Sequence, residues 1–161
     1  MKFFKSTFFL VALIAAQTVY AQDAKKEKEA VQAEAVKNKI DGKRYVFQAQ
    51  SAMPMKGKSR QLSPGYTLTV SPDTVMCDLP YFGRAYQAPM NASEGGIKFT
   101  STDFEYTVKN QKKGGWDIQI KPKDVRNSSQ VSLSISAKGY ASLRVISTDR
   151  ESISFNGYIE R

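Results

Sequence analysis

Residues 116–145, WDIQIKPKDVRNSSQVSLSISAKGYASLRV, alternate apolar and polar side chains in three runs: Trp116, Ile118, Ile120; Val131, Leu133, Ile135; Ala141, Leu143, Val145. A period of two places each apolar set on one face of a β-strand and leaves the Ser, Gln, Lys and Arg between them on the other. Lys138-Gly139 separates the last two runs, and so short a link joins only antiparallel neighbours, because a parallel crossover needs about a dozen residues. These thirty residues therefore predict an antiparallel meander with one buried face.

The same alternation extends in both directions. Upstream lie Tyr45, Phe47, Ala49; Tyr66, Leu68, Val70; Val75, Cys77, Leu79; Ile97, Phe99; and Phe104, Tyr106, Val108. Downstream lie Ile153, Phe155 and Ile159. Ser71-Pro72-Asp73, Asn110 to Gly115 and Thr148-Asp149-Arg150 supply turns, whereas Asn156-Gly157, inside the last run, reads as a bulge. The pattern predicts an all-β, antiparallel up-and-down barrel of about eight strands over residues 43–161. A barrel is favoured over a sandwich because closing the hairpins on themselves removes exposed edges.

Before Gly42 the composition changes. Residues 22–42 are Ala, Lys, Glu and Gln with no Gly or Pro until Gly42, which predicts a short helix with a thin apolar stripe. Val31 with Ala35 and Val36 with Ile40 are spaced to dock on the barrel, and Asp41-Gly42 ends the helix. Residues 1–21 read as a signal peptide: Lys2 and Lys5 precede an apolar run from Phe8 to Ala16, and Val19 and Ala21 occupy the small-residue positions of a cleavage site. Cleavage leaves 161 − 21 = 140 residues and a charge of 22 − 15 = +7. The expected location is periplasmic or secreted, and the apolar run is too short for a comfortable transmembrane span.

No histidine and one cysteine exclude a disulfide framework and remove the usual general base and the commonest metal ligand. Cys77 shares the parity of Val75 and Leu79 and reads as a buried thiol. Asp103 and Glu105 alternate with Phe104 and Tyr106 and read as a solvated strand face rather than a carboxylate pair. Gly114-Gly115 has no following helix to form a phosphate loop. The basic residues occur singly or in pairs without a nucleic-acid motif, so no nucleic-acid partner is expected. No cofactor, metal or catalytic residue is expected, and the protein is not read as an enzyme.

Pro80 to Gly96 breaks the strand rhythm and carries Tyr81, Phe82, Arg84 and Tyr86, aromatic residues unusual in a polar loop. A guanidinium beside aromatic faces suits a small amphipathic or anionic ligand at the barrel mouth. The alternative is that the same rings plug one end of a filled barrel while Arg84 pairs with a carboxylate, leaving a non-catalytic module that holds an envelope protein or glycan.

Three ordered motifs, LPYFGRAY at 79–86, GGIKF at 95–99 and SISFNGYIE at 152–160, together with the leader, resemble a family of small exported Bacteroidetes proteins catalogued as a domain of unknown function. The resemblance covers roughly Arg44 to the C-terminus. It implies a lipocalin-like, calycin-type barrel with an N-terminal helix, and implies no activity, cofactor or catalytic residue. Asp73-Thr74-Val75 matches the short Asp, Thr, small-apolar pattern used for O-linked glycosylation of exported proteins in the group this sequence resembles, which makes Thr74 a candidate modification site.

Overall fold

A computed structural model of the chain describes residues 26–86, 95–112, 114–125 and 130–160. The expected leader with its cleavage site, residues 22–25 and residues 87–94 of the Pro80 to Gly96 loop lie outside the described residues.

Helix α1 spans 26–41. Its second half docks: Val36 and Ile40 are buried, while Val31 stays 63% exposed and does not join the core. The helix ends where Gly42 places it, but the left-handed residue is Lys43, at φ 48°. Lys43 N–H donates to Ile40 O and Arg44 N–H to Lys39 O, the two bonds of a Schellman motif. Lysine there is strained relative to glycine, and its ammonium lies 5.1 Å from the centre of the Tyr106 ring.

The strands are β1 (Tyr45–Pro54), β2 (Arg60–Gln61), β3 (Thr67–Val70), β4 (Val75–Pro80), β5 (Gly96–Ser101), β6 (Phe104–Asn110), β7 (Trp116–Pro122), β8 (Gln130–Ile135), β9 (Tyr140–Ile146) and β10 (Ile153–Ile159). All pairings are antiparallel, in the order β5-β4-β3-β1-β10-β9-β8-β7-β6, with β2 added to β1. Sequential hairpins joined by the β1–β10 pairing give a nearly closed up-and-down barrel, the lipocalin-like architecture expected.

Eight antiparallel steps separate β5 from β6, so these two strands run in the same direction with only Thr102 and Asp103 between them. They are two halves of one bent strand. The first half pairs β4 and the second pairs β7, so the nine-strand circuit has eight distinct strands. Asp124 holds the bend: its carboxylate accepts from Ser101 Oγ, Thr102 N (2.8 Å) and Asp103 N (3.2 Å), and these bonds, Ser101 foremost, hold its pKa at about 2.

The irregularity expected at Asn156-Gly157 is present, but the extra residue belongs to the partner strand. Register shifts between Ala49 and Ser51, which bulges β1 at Gln50 opposite Asn156 and Gly157. Gly157 faces β1 so closely that a Cβ would lie 1.9 Å from Gln48 O.

Inward side chains fill the barrel. Phe47, Leu68, Leu79, Ile118, Leu133, Leu143 and Phe155 are all essentially inaccessible, and Cys77 is buried among them, its thiol pKa pushed up by burial. No buried side-chain nitrogen or oxygen among the described residues lacks a hydrogen-bond partner.

Candidate binding site

The rim after β4 holds the four residues singled out in the sequence, and it divides them. Tyr81 and Phe82 are half-buried against the core, whereas Arg84 and Tyr86 face solvent, Tyr86 at 65% exposure. The backbone of this segment is tied to the β9–β10 turn. Tyr86 N–H donates to Asp149 O (2.8 Å), Glu151 N–H to Arg84 O (3.0 Å), and Ala85 bridges Arg150. Tyr81 Oη lies 2.8 Å from Arg84 O and 3.0 Å from Glu151 O, bonding distances to both carbonyls. These bonds fasten residues 81–86 across the rim as a latch.

The guanidinium that meets Tyr81 is Arg150, 5.0 Å from the ring centre, and Arg60 lies 4.8 Å from that of Phe82. Sequence adjacency pointed to Arg84 as the cation beside these rings. The partners come instead from β2 and from the β9–β10 turn, which the barrel brings to the same rim. Arg150 also donates to Gly96 O (2.9 Å) and, through Nε and Nη2, to buried Asp149 at 3.0 and 2.8 Å. Burial opposes ionisation of Asp149, but bonds from Arg150 and Ser147 and the charge of Arg150 outweigh it, and the pKa is lowered. The crevice beside this pair measures only about 60 Å³, room for water rather than for an organic ligand.

A much larger concavity lies outside the barrel. Between the undocked half of α1 and the outer face of β9 and β10 runs a groove of about 1100 Å³. Tyr140 and Tyr158, direct cross-strand partners, stand side by side on its sheet wall at 67% and 37% exposure, and Val31 and Ala35 line the helix wall. Two polar ties hold that half of α1 to the β8–β9 turn: Gln32 Nε2 donates to Lys138 O (2.8 Å), and Glu29 meets Lys138 Nζ (2.8 Å). Lys28, Lys39, Glu27 and Glu160 complete a rim of both charge signs. The surface is amphipathic, with an apolar strip wide enough for a ligand body and charged ends along its border. The Val31 and Ala35 spacing predicts docking rather than a groove wall, and Tyr140 and Tyr158 fall at outward positions of ordinary strands.

Thr74 is half-buried in the β3–β4 turn, with its hydroxyl 3.2 Å from Asp73 Oδ1. Among the described residues no three Asp, Glu or Cys side chains converge on one point, and no helix is long and apolar enough to cross a membrane.

Comparison with known proteins places the fold. A family model described as a domain of unknown function, DUF4251, matches residues 27–159. No curated protein matches the sequence. Among solved structures, the crystal structure of a DUF4251 family protein from Bacteroides eggerthii DSM 20697 is similar at 12% identity and a TM-score of 0.60, covering 81% of this chain and 87% of that one. At that identity the likeness concerns the fold.

Proposed function

The chain belongs to the DUF4251 family, and from that premise of a fold without an assigned chemistry we propose that it is an exported, non-catalytic binding module. Its barrel is a filled scaffold, and its ligand surface is the groove between α1 and β9–β10. The observation that carries this reading is the contrast between an interior packed with inaccessible aliphatic and aromatic side chains and an exterior groove of about 1100 Å³ with two exposed tyrosines on its wall. The ligand that fits is a small amphipathic molecule. Its apolar body lies over Tyr140, Tyr158 and Val31, and its polar end meets the lysines and glutamates of the border.

The rim residues Tyr81 and Phe82, half-buried and covered by Arg150 and Arg60, have the features of a structural latch. That supports moving the ligand from the barrel mouth, where the sequence suggested it, to the outer groove. The test is titration with cis-parinaric acid, a fluorescent fatty acid. Saturable binding is expected, weakened at least tenfold by Tyr140→Asp and by Val31→Asp, both at exposed positions, so the fold is expected to survive them. Absence of saturable binding, or binding lost only on Arg84→Ala or Tyr86→Ala, refutes the groove reading.

A further inference from the structure

The bent β5–β6 strand leaves two edges unpaired among the described residues, the far side of β5 and the far side of β6, and the second carries the charges that matter here. β6 pairs β7 on one side and, among the described residues, no strand on the other. Gln111 N–H donates to Gly115 O and Lys123 N–H to Asp103 O, which fixes the alternation of the β6–β7 ladder. Odd-numbered residues of β6 bond β7, and the N–H and C=O groups of Phe104, Tyr106, Val108 and Asn110 point away from it. The side chains near this edge are incompletely covered. Val108, on the inward face of β6, is 38% exposed, and Tyr106 is half-buried, its hydroxyl 3.1 Å from that of Tyr45.

An open edge is a template for another strand, and the charges along this one say which strand fits. Asp103 and Glu105 stand at its beginning, Lys109 and Lys112 at its end, and Thr107 at the centre. We infer that β6 pairs antiparallel with β6 of a second copy of this chain about a two-fold axis through Thr107. In that register Glu105 faces Lys109 of the second copy, twice by symmetry, on the outer face. Tyr106 lies beside Val108 of the second copy on the inner face and covers it. The outward backbone groups of residues 104, 106, 108 and 110 all fall in hydrogen-bonded pairs, and Thr107 meets its own copy in a non-hydrogen-bonded pair. A parallel arrangement, or a register shifted by two residues, breaks the Glu105–Lys109 match. Glu105 also meets Lys123 of its own chain at 3.2 Å, and its half-exposed carboxylate has room for a second cation.

The test is sedimentation equilibrium of the purified protein at low salt, where a dimer with a dissociation constant in the micromolar range is expected. Lys109→Glu sets glutamates opposite one another and is expected to weaken the dimer at least tenfold. The exchange Glu105→Lys with Lys109→Glu restores the opposition of charges and is expected to return it to within about threefold of the parent. All these positions are exposed, so the fold is expected to survive, with a circular dichroism melt as the check. Mild oxidation of Thr107→Cys should give an interchain disulfide, since only the residue on the axis meets its own copy, while Lys109→Cys should not; buried Cys77 does not compete. A monomer at every concentration, a dimer indifferent to both charge variants, or cross-linking through position 109 in preference to 107 overturns the inference.

Discussion

Replacing Gly157 by alanine puts the barrel closure under direct load. A Cβ at this position would lie 1.9 Å from Gln48 O, 2.9 Å from Gln48 C and 3.0 Å from Phe47 Cε2. Reaching even a 3.0 Å separation from the oxygen requires β1 and β10 to part by 3.0 − 1.9 = 1.1 Å. The obstacle is backbone, so no side-chain rotation relieves it, and the fully buried Phe47 ring blocks retreat toward the core. Overpacking of a well-filled interior costs about 1–3 kcal/mol. Disturbing the pairs Gln48 with Tyr158 and Ala49 with Gly157 adds about 1 kcal/mol for each hydrogen bond weakened. The expected loss is therefore about 3–5 kcal/mol, a large part of the roughly 5–15 kcal/mol that stabilises a typical domain. Urea unfolding followed through Trp116, the only tryptophan, measures it. Gly65→Ala is the control: φ there is +112° but nothing lies within 4 Å of the added Cβ, so backbone strain alone applies, about 1–3 kcal/mol. A Gly157→Ala variant within 0.5 kcal/mol of the parent would refute the close β1–β10 approach.

Phe82→Ala is expected to cost about 2 kcal/mol, less than a fully buried phenylalanine because the ring is half-exposed, while Arg84→Ala stays within about 0.5 kcal/mol; equal losses in thermal melts would contradict the latch. Arg150→Leu leaves the buried Asp149 carboxylate without its guanidinium and is expected to cost about 3 kcal/mol in neutral-pH denaturation. Because the folded state lowers the Asp149 pKa, that carboxylate stabilises the parent above its unfolded value of about 3.9 and ceases to do so as pH falls through the folded value. In Arg150→Leu only the Ser147 and backbone bonds still oppose burial, so this acid-side loss of stability should shrink, as urea midpoints across pH 2–7 would register. Cys77 is expected to react with a thiol-specific disulfide reagent only on unfolding, and rapid labelling of the native protein would show the strand parity to be wrong.

The barrel was legible because almost every strand obeys one rule. Trp116, Ile118 and Ile120 alternate with Asp117 and Gln119, and the structure buries the first set and exposes the second. Period-two reading counts apolar runs, however, and has no term for direction. It therefore separated Ile97–Phe99 from Phe104–Val108, although a two-residue break held by Asp124 bends a single strand there. Asn156-Gly157 reads as a bulge because it is a hairpin dipeptide inside a strand, yet Gly157 serves to let the bulged partner approach. At the rim, Tyr81 and Phe82 lie where the sequence suggested, but their cations arrive from Arg60 and Arg150, whose proximity depends on tertiary closure. The groove left no local signal. Tyr140 and Tyr158 become neighbours only through the β9–β10 register, and the exposure of Val31 depends on how far α1 lies along the barrel.

Amide chemical-shift mapping with dodecanoate as the probe separates a filled scaffold with an outer groove from a ligand-holding barrel. Titration should move the amides of Val31, Ala35, Tyr140 and Tyr158 together along one saturation curve, and leave those of Leu133, Leu143 and Phe155 unmoved. Saturable shifts centred on Leu133, Leu143 and Phe155, or on Tyr81 to Tyr86, with the groove silent, would contradict it.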